Sequence, residues 1–348
     1  MNGSTPTSRR SRSPVNEFAP AERDPKLSAQ YGGNSRTGWV GYLPSSWVPY
    51  IQLARLGHPA NLFLIYFPHL FGVLHGAVTR QVPINETAYT AGATFVGSFF
   101  VSNAVHIWND IIDAPLDAKV ERTKHRPIPR ASQTIGALLL LPYISSDHHP
   151  KNPFIYSLPS IVGWTYYPWA KRHTNYPQAV LGFCFVWAIA IGSLAVGVEP
   201  VAFGPFGHFS HSTQSLALDY SAACLFTACI LWTMIYDTIY AHQDLKDDLK
   251  AGIKSIAVLY QDWTKSLLWG LLFSMLTLLT ACGALRGMGL VYYTLAVGGS
   301  VAALGLMIAK VELRSSESGW WWFGNGFWFA GGAVTGGLMA EYARLLWT

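Results

Sequence analysis

The chain has 348 residues, of which 51% are hydrophobic, 14% are aromatic and only 12% are charged, and its formal net charge at pH 7 is +5. A soluble domain usually has about 25% charged residues, so this composition argues against a water-soluble protein and indicates one that lies in lipid. The positive charge does not indicate a nucleic-acid partner, because most basic residues lie between apolar segments, where they orient a chain in the bilayer.

The amino-terminal end differs in composition from the rest of the chain. Residues 1–45 are rich in Ser, Arg, Pro and Gly and poor in large apolar residues. Such a composition predicts a disordered arm on the cytosolic side, followed by a transmembrane domain over residues 46–348. Three arginines within residues 9–12 are typical of a mitochondrial presequence, whereas the acidic residues between 17 and 24 argue against one.

Apolar segments follow one another from residue 59 to the carboxyl terminus. A helix needs about 20 apolar residues to cross a bilayer, and most of these segments approach or exceed that length. The pattern predicts an all-α polytopic membrane protein with about nine transmembrane helices. The predicted spans, of which the third is short, are 59–79, 88–108, 134–144, 154–170, 178–198, 216–236, 264–285, 289–309 and 321–341.

Basic residues predict the orientation of these spans. The amino-terminal arm up to Arg55 and the loops after even-numbered spans contain 20 of the 24 Lys and Arg residues, which places them on the cytoplasmic side or its topological equivalent. The segment 134–144 reaches only about 16 Å as a helix. Unless it crosses, however, residues 109–130 and 237–254 would lie on opposite faces and the charge asymmetry would vanish. We therefore predict that it crosses.

Two acidic motifs follow the second and sixth spans. In NDIIDAPLD, Asn109, Asp113 and Asp117 lie four residues apart and share one face of a helix that continues past Pro115. In YDTIYAHQDLKDD, helical spacing again places three acids on one face, and a fourth is adjacent; these are Asp237, Asp244, Asp248 and the adjacent Asp247.

Two clusters of hard oxygen atoms at one membrane face suit Mg²⁺. This ion prefers one or two carboxylates and completes its shell with water and with substrate phosphate oxygens, so a phosphorylated substrate is expected. The absence of a GxxxxGK[ST] loop argues against ATP. The structural alternative is that these acids only solvate helix ends, and matched clusters with basic residues between them make that alternative weaker.

Basic side chains accompany both motifs and could bind a diphosphate. Lys171, in YYPWAKR at the end of the fourth span, is the preferred candidate, and Arg126 and Arg130 come next. The remaining basic residues serve mainly as topology signals. They include Arg122, Lys124, Lys246, Lys250 and Lys254.

These motifs, taken together, resemble those of the UbiA-type membrane prenyltransferases. NDIIDAPLD is similar to the NDxxDxxxD motif, YDTIYAHQDLKDD to the second aspartate motif, and YPWAK to the YxxxK element. The resemblance extends from about Arg55 to the carboxyl terminus. It implies nine helices around a central cavity that opens laterally to lipid, with both aspartate motifs capping the cavity from the cytoplasmic side. It also implies an isoprenyl group transferred with Mg²⁺ from its diphosphate to an aromatic acceptor.

The resemblance also implies roles for individual residues. Asp113, Asp244 and Lys171 would carry the chemistry, and Asp110, Asp237, Tyr240 and Asp247 would support it. The complete assignment is Asn109, Asp113 and Asp117 for one Mg²⁺, Asp244 and Asp248 for the other, Lys171, Arg126 and Arg130 for the diphosphate, and Tyr167 for the phosphate or the cavity wall.

An allylic diphosphate leaves as an anion while its carbon tail becomes a cation, so aromatic rings are expected near the reacting carbon. Four rings could present their faces to that cation, although packing in the core or at the interface is the commoner role of each. They are Trp108, Trp164, Tyr166 and Trp232.

Within the family, the motifs look most like those of fungal enzymes that prenylate aromatic polyketide acids in meroterpenoid synthesis. The predicted donor is farnesyl diphosphate, or geranylgeranyl diphosphate, and the predicted acceptor is an orsellinic-type acid. A 4-hydroxybenzoate polyprenyltransferase of ubiquinone synthesis is the alternative. An alternative of another class is a transporter or inactive scaffold that binds an anionic lipid. The expected location is the endoplasmic reticulum or another endomembrane, with the mitochondrial inner membrane as the alternative.

Two smaller features have structural interpretations. All four cysteines lie in apolar segments and are expected to be small core residues, not disulfides or metal ligands. Gly332 and Gly336 form a GxxxG pattern that predicts close helix packing within the monomer, or a dimer face. The sequence does not predict the oligomeric state.

Overall fold

The computed structural model describes residues 38–53, 55–56, 60–120, 123, 153–202 and 217–347, and these residues are almost entirely helical. The α-helices are α1 Val48–Leu53, α2 Ala60–Arg80, α3 Ile84–Asp117, α4 Pro153–His173, α5 Pro177–Ala195, α6 Tyr220–Ala241, α7 Leu245–Ala251, α8 Ile256–Tyr260, α9 Thr264–Arg286, α10 Leu290–Tyr292, α11 Gly299–Lys310 and α12 Ser316–Leu346. The shorter elements are 3₁₀ turns at Gly38–Tyr42, His242–Asp244 and Gln261–Trp263, a π-helical turn at Tyr293–Gly298, and the antiparallel pair β1 Val201–Ala202 and β2 Ala217–Leu218.

The all-helical prediction is confirmed. Eight predicted spans fall on α2, α3, α4, α5, α6, α9, the continuous α10–α11 segment and α12, while the predicted third span at 134–144 lies outside the described residues. Five described segments are long and apolar enough to cross a membrane: Leu62–Arg80, Pro177–Ala195, Tyr220–Ala251, Ile256–Arg286 and Leu290–Lys310. The helices α3, α4 and α12 are not among these five, and they contain more polar residues, proline, glycine or tryptophan.

The ends of the long helices lie at two opposite ends of the helix bundle. At one of them, here named the aspartate end, α3 and α4 both terminate. There the Lys171 ammonium lies 2.7 Å from the Asp113 carboxylate. At the opposite end, the Ser221 hydroxyl at the start of α6 donates to the carbonyl of Cys282 near the end of α9 over 3.0 Å. Consecutive long helices alternate in direction, with the exception of α3 and α4, which run the same way.

Glycine allows α2 and α5 to cross closely. A Cβ atom at Gly72 would lie 2.0 Å from the backbone oxygen of Ile189, and one at Gly192 would lie 2.1 Å from that of His69. No other residue fits without moving the backbone, so these glycines fix the distance between the two helices. Small residues allow the same close approach between membrane helices in general.

The prediction that the GxxxG pattern in α12 allows close helix packing within the monomer is wrong. A Cβ atom at Gly332 would meet nothing within 4 Å, and one at Gly336 would only reach a Leu295 methyl at 4.0 Å. The neighbouring Gly331 and Gly337 make the close contacts instead, because the rotation of α12 turns them towards α2 and the π-helical turn. The free cysteines are buried or half-buried, as expected for core residues.

Candidate active site

One cavity opens at the aspartate end among α2, α3, α4, α5, α6, α7 and α12. It brings together both acidic motifs and the YxxxK element, although residues 117 and 167, and residues 171 and 236, are 50 and 65 positions apart along the chain. The predicted site residues that line it are Asn109, Asp113, Asp117, Tyr167, Lys171, Asp244 and Asp248. Arg126 and Arg130 lie outside the described residues.

The first motif lies on the last turns of α3, which remains helical through Pro115 to Asp117. Asp113 is 1% exposed, and its Oδ2 accepts a hydrogen bond from the Lys171 ammonium over 2.7 Å. The Arg172 guanidinium lies 3.7 Å from Asp113 Oδ1 and donates to the backbone oxygen of Ile112 over 3.0 Å. Two cations from α4 therefore face one buried carboxylate.

The second motif is not a continuous helix. The end of α6 passes through the 3₁₀ turn His242–Asp244 before α7 begins, so the regular spacing predicted for the acids is interrupted. Asp237 and Asp248 nevertheless line the same cavity as Asp244. Asp247, expected to support the site, forms an ion pair with Lys250 over 3.7 Å instead of lining the cavity.

Two basic residues at the cavity were not assigned to the site from the sequence. Lys254 lines the cavity, and its backbone N–H donates to the Lys171 carbonyl over 2.9 Å. Arg55 also lines the cavity and forms a buried ion pair of 2.6 Å with Asp110. Arg55 has a φ of +55°, a conformation uncommon outside glycine, and no sequence pattern indicates it. Asp110, the motif residue next to Asn109, therefore binds the segment that precedes α2.

The cavity walls away from the acids are apolar and aromatic, with Trp164, Phe185, Tyr236 and Phe323 among them. Of the four rings considered from the sequence, only Trp164 lines the cavity. The ring of Trp232 is 2% exposed and packs in the core, and Trp108 and Tyr166 lie elsewhere. The Lys171 ammonium lies 5.8 Å from the centre of the Tyr167 ring, within the range of a cation–π contact.

The oxygen atoms at the cavity fit a divalent cation. Asn109 Oδ1 and Asp113 Oδ1 are buried and accept no hydrogen bond, and a buried acceptor without a donor is unusual unless another ligand satisfies it. Within the described ranges, no three His, Cys, Asp or Glu side chains are close enough to enclose an ion by themselves. Two buried oxygens without donors beside a cavity suit Mg²⁺, which takes few carboxylates and completes its shell with water and phosphate oxygens.

A membrane bundle whose cavity is acidic and basic at its mouth and apolar inside defines an enzyme for substrates with a charged head and a hydrocarbon body. The model of the UbiA prenyltransferase family matches residues 65–331. The chain therefore belongs to the UbiA prenyltransferase family and is an integral membrane enzyme.

Three similar proteins illustrate this relationship. Prenyltransferase stbC from Stachybotrys bisbyi is 30% identical over 95% of this chain and 96% of its own length. The mitochondrial 4-hydroxybenzoate polyprenyltransferase of Schizosaccharomyces pombe is 32% identical over 90% of this chain and 84% of its own length. The apo structure of a UbiA homolog from Aeropyrum pernix K1 has a TM-score of 0.60 at 21% identity, covers 81% of this chain and 98% of its own, and supports the fold.

Proposed function

We propose that this enzyme transfers a farnesyl group from its diphosphate to an aromatic polyketide acid of the orsellinic type. The observation that supports this most directly is that one cavity contains both acidic motifs and Lys171 at its mouth and aromatic walls inside. A charged diphosphate suits the mouth, and a hydrocarbon tail suits the interior.

The acids would hold the metal in two groups. Asn109, Asp113 and Asp117 from α3 line the cavity together with Asp244 and Asp248 and would bind Mg²⁺ with diphosphate oxygens. When bound, Mg²⁺ supplies the positive charge that neutralises the departing diphosphate.

Lys171 and Tyr167 would orient the leaving group. The ammonium of Lys171 is already fixed at the mouth by its ion pair with Asp113, so it is placed to donate to a diphosphate oxygen. Arg126 and Arg130 are proposed as further ligands from the sequence pattern. The C1–oxygen bond of the donor breaks with both electrons on the diphosphate, a ring carbon of the acceptor forms the new bond, and the ring then loses a proton.

The apolar wall would protect the developing carbocation from water. Trp164 and Phe185 are packed edge to face with ring centres 5.3 Å apart, and Tyr236 is 2% exposed, so little space remains for solvent beside the tail. Excluding water prevents hydrolysis of the cation and strengthens the electrostatic contacts at the mouth.

A second candidate acceptor is 4-hydroxybenzoate. The relative from Schizosaccharomyces pombe is named for that acceptor and is as similar to this chain as the fungal relative stbC. Both acceptors are aromatic acids, so the same chemistry serves either. In this alternative the donor would be a longer polyprenyl diphosphate and the location mitochondrial.

A direct assay tests the proposal. Microsomes that contain the protein are supplied with Mg²⁺, an orsellinic-type acid or 4-hydroxybenzoate, and geranyl, farnesyl or geranylgeranyl diphosphate, and the products are identified by mass spectrometry. We expect a carbon-prenylated orsellinic-type acid, with turnover lost in EDTA and restored by Mg²⁺. Transfer to 4-hydroxybenzoate alone would favour the second candidate, and turnover that resists EDTA would contradict the metal assignment.

We also propose that the membrane domain spans residues 46–348 and crosses nine times, with residues 1–45 as a cytosolic arm. The common direction of α3 and α4 supports an additional crossing between them, because both terminate at the aspartate end. Labelling of single cysteines at Asn85 and Lys171 from each side of the membrane should show them on opposite faces. We place the protein in an endomembrane, which fractionation against mitochondrial markers would test.

A further inference from the structure

One acid at the cavity lies within a helix that has no other charged residue. Asp237 is the only charged side chain among the 22 residues of α6, and α6 belongs to a segment apolar enough to cross a membrane. It lies four residues before the end of α6, about 6 Å along the helix axis, and it lines the cavity. An ionisable residue at such a depth costs free energy and usually marks a functional group.

Asp237 does not take part in the contacts that bind the other acids. In the part of the chain that the structure describes, no donor hydrogen-bonds to its carboxylate and no cation forms a close ion pair with it. The Asp113 carboxylate, by contrast, accepts from the Lys171 ammonium over 2.7 Å. The charge of Lys171 acts on Asp237 from a greater distance, and the charge of Asp237 acts on Tyr167, so these three side chains are neighbours at the cavity.

Asp237 is also separate from the proposed metal ligands. Among the described residues, it belongs to no group of three His, Cys, Asp or Glu side chains that could hold an ion. The nearest proposed ligand along the chain, Asp244, lies beyond the end of α6 in the 3₁₀ turn. The metal assignment therefore leaves Asp237 without a function, although its carboxylate lines the reaction cavity.

The position of Asp237 matches that of the bond that forms. Lys171 marks the diphosphate, and Tyr167 lies one turn, about 6 Å, further into the bundle on α4. Carbon C1 of the donor is bonded to the diphosphate, so C1 lies at this boundary, beside the side chains with which Asp237 interacts. The reacting carbon of the acceptor must approach C1 to about 3–3.5 Å. The hydrogen that this carbon later loses is therefore released in the same place.

We propose that Asp237 is the general base that takes the ring proton after prenyl transfer. The inference rests on the proposed function, because it assumes a new bond to an aromatic ring carbon. Once that bond has formed, the carbon holds both the prenyl group and a hydrogen, and the ring is positively charged. The carbon–hydrogen bond breaks, its two electrons restore the aromatic ring, and the proton binds an oxygen of Asp237, from which it passes to water at the cavity mouth.

The first test is a ring isotope effect. Purified protein with Mg²⁺ and farnesyl diphosphate is given an orsellinic-type acid, or 4-hydroxybenzoate if the wild type prenylates that, with hydrogen or deuterium at the reacting ring position. Asp237→Asn keeps the shape but removes the base, and should slow product formation by roughly 10²-fold or more, as loss of a general base typically does. Deuterium should slow this variant more than the wild type, because proton loss has become the slow step.

An isotope effect in Asp237→Asn equal to that of the wild type would overturn the proposal, because the departing diphosphate or water would then be the base. Asp237→Glu keeps a carboxylate and should recover part of the rate. The matched control is Asp262→Asn, the same chemical change at a side chain that is 82% exposed, and it should behave as the wild type.

Donor binding distinguishes a base from a metal ligand. Asp237→Asn should bind farnesyl diphosphate at least as tightly as the wild type at the same Mg²⁺ concentration, which also shows that the variant is folded. The donor still ionises in this variant, so a larger fraction of it should be recovered as farnesyl alcohol, the product of attack by water. A higher Mg²⁺ requirement for donor binding would overturn the proposal by showing that Asp237 binds the metal.

The outcomes also separate this inference from the proposed function. If the wild type prenylates no aromatic acid, both fail. If it does so and Asp237→Asn retains the wild-type rate and isotope effect, only the assignment of the base fails and the transferase assignment stands.

Discussion

Two carboxylates at opposite ends of the bundle each form an ion pair, but they differ in what they leave for a ligand. Asp219 precedes α6, and its Oδ1 accepts from backbone N–H groups of the first helical turn while its Oδ2 accepts from Arg286. Asp113 uses Oδ2 for Lys171, whereas its buried Oδ1 accepts no hydrogen bond. Both oxygens of Asp219 accept hydrogen bonds, whereas Asp113 Oδ1 has only the longer 3.7 Å ion-pair contact with the Arg172 guanidinium.

This difference separates a structural ion pair from a candidate binding site. A helix cap with a paired counter-ion contributes to stability and needs nothing further. A buried carboxylate with an oxygen that accepts no hydrogen bond can take a further ligand, and the cavity provides the route by which a cation and a phosphate can reach it. The presence of an ion pair is therefore less informative than the number of acceptor atoms that it leaves unsatisfied.

The largest expected effect is at the aspartate end. Asp113→Ala and Asp244→Ala should each reduce prenyl transfer by roughly 10³-fold or more, because each removes a proposed metal ligand at the developing charge. Turnover is measured by product mass spectrometry at saturating Mg²⁺. The matched control is Asp262→Ala. The Asp262 side chain is 82% exposed and pairs with Arg314 at the surface, so its removal should not affect turnover. Substantial activity in both site variants would refute the metal assignment.

Removing the partner of Asp113 should have a smaller effect. Lys171→Gln should reduce kcat/KM for the donor by roughly 10²-fold, because one charged donor to the leaving group is lost while the proposed metal ligands remain. Lys171→Arg keeps the charge and should recover part of the loss. Kinetics at varied donor concentration give kcat/KM for each variant. Equal losses in Lys171→Gln and Lys171→Arg would indicate that Lys171 only positions Asp113.

The opposite end should respond in stability and not in catalysis. Asp219→Ala removes the cap of α6 and should destabilise the protein by about 1–2 kcal/mol, as loss of a helix cap typically does. Thermal unfolding in detergent measures this change, and the Mg²⁺ dependence of turnover should equal that of the wild type. A changed Mg²⁺ requirement in this variant would show that the two ends of the bundle are coupled and that the ion pair of Asp219 is not purely structural.

The helical class and the meeting of the two acidic motifs could be predicted from the sequence, because both depend on local patterns. Runs of apolar residues define spans, and the spacing of Asn109, Asp113 and Asp117 defines one helix face whatever the tertiary structure. The distribution of basic residues then predicts that both motifs lie at one membrane face.

The features that the sequence did not predict depend on how helices are rotated and which distant segments meet. The contact between Arg55 and Asp110 joins residues 55 positions apart. The choice of Gly331 and Gly337 over Gly332 and Gly336 depends on which faces of α12 meet α2 and the π-helical turn. The place of Trp164 in the cavity wall depends on how α4 packs against its neighbours, and no single segment contains that information.

The buried ion pair between Arg55 and Asp110 determines where the protein can be shortened. The family match begins at residue 65, yet a truncation there would delete the guanidinium that neutralises the acid next to Asn109, and loss of one partner of such a pair typically destabilises a fold by about 3–5 kcal/mol. The smallest autonomous version of this enzyme therefore starts upstream of Arg55, and trimming for expression or crystallisation should stop before that residue.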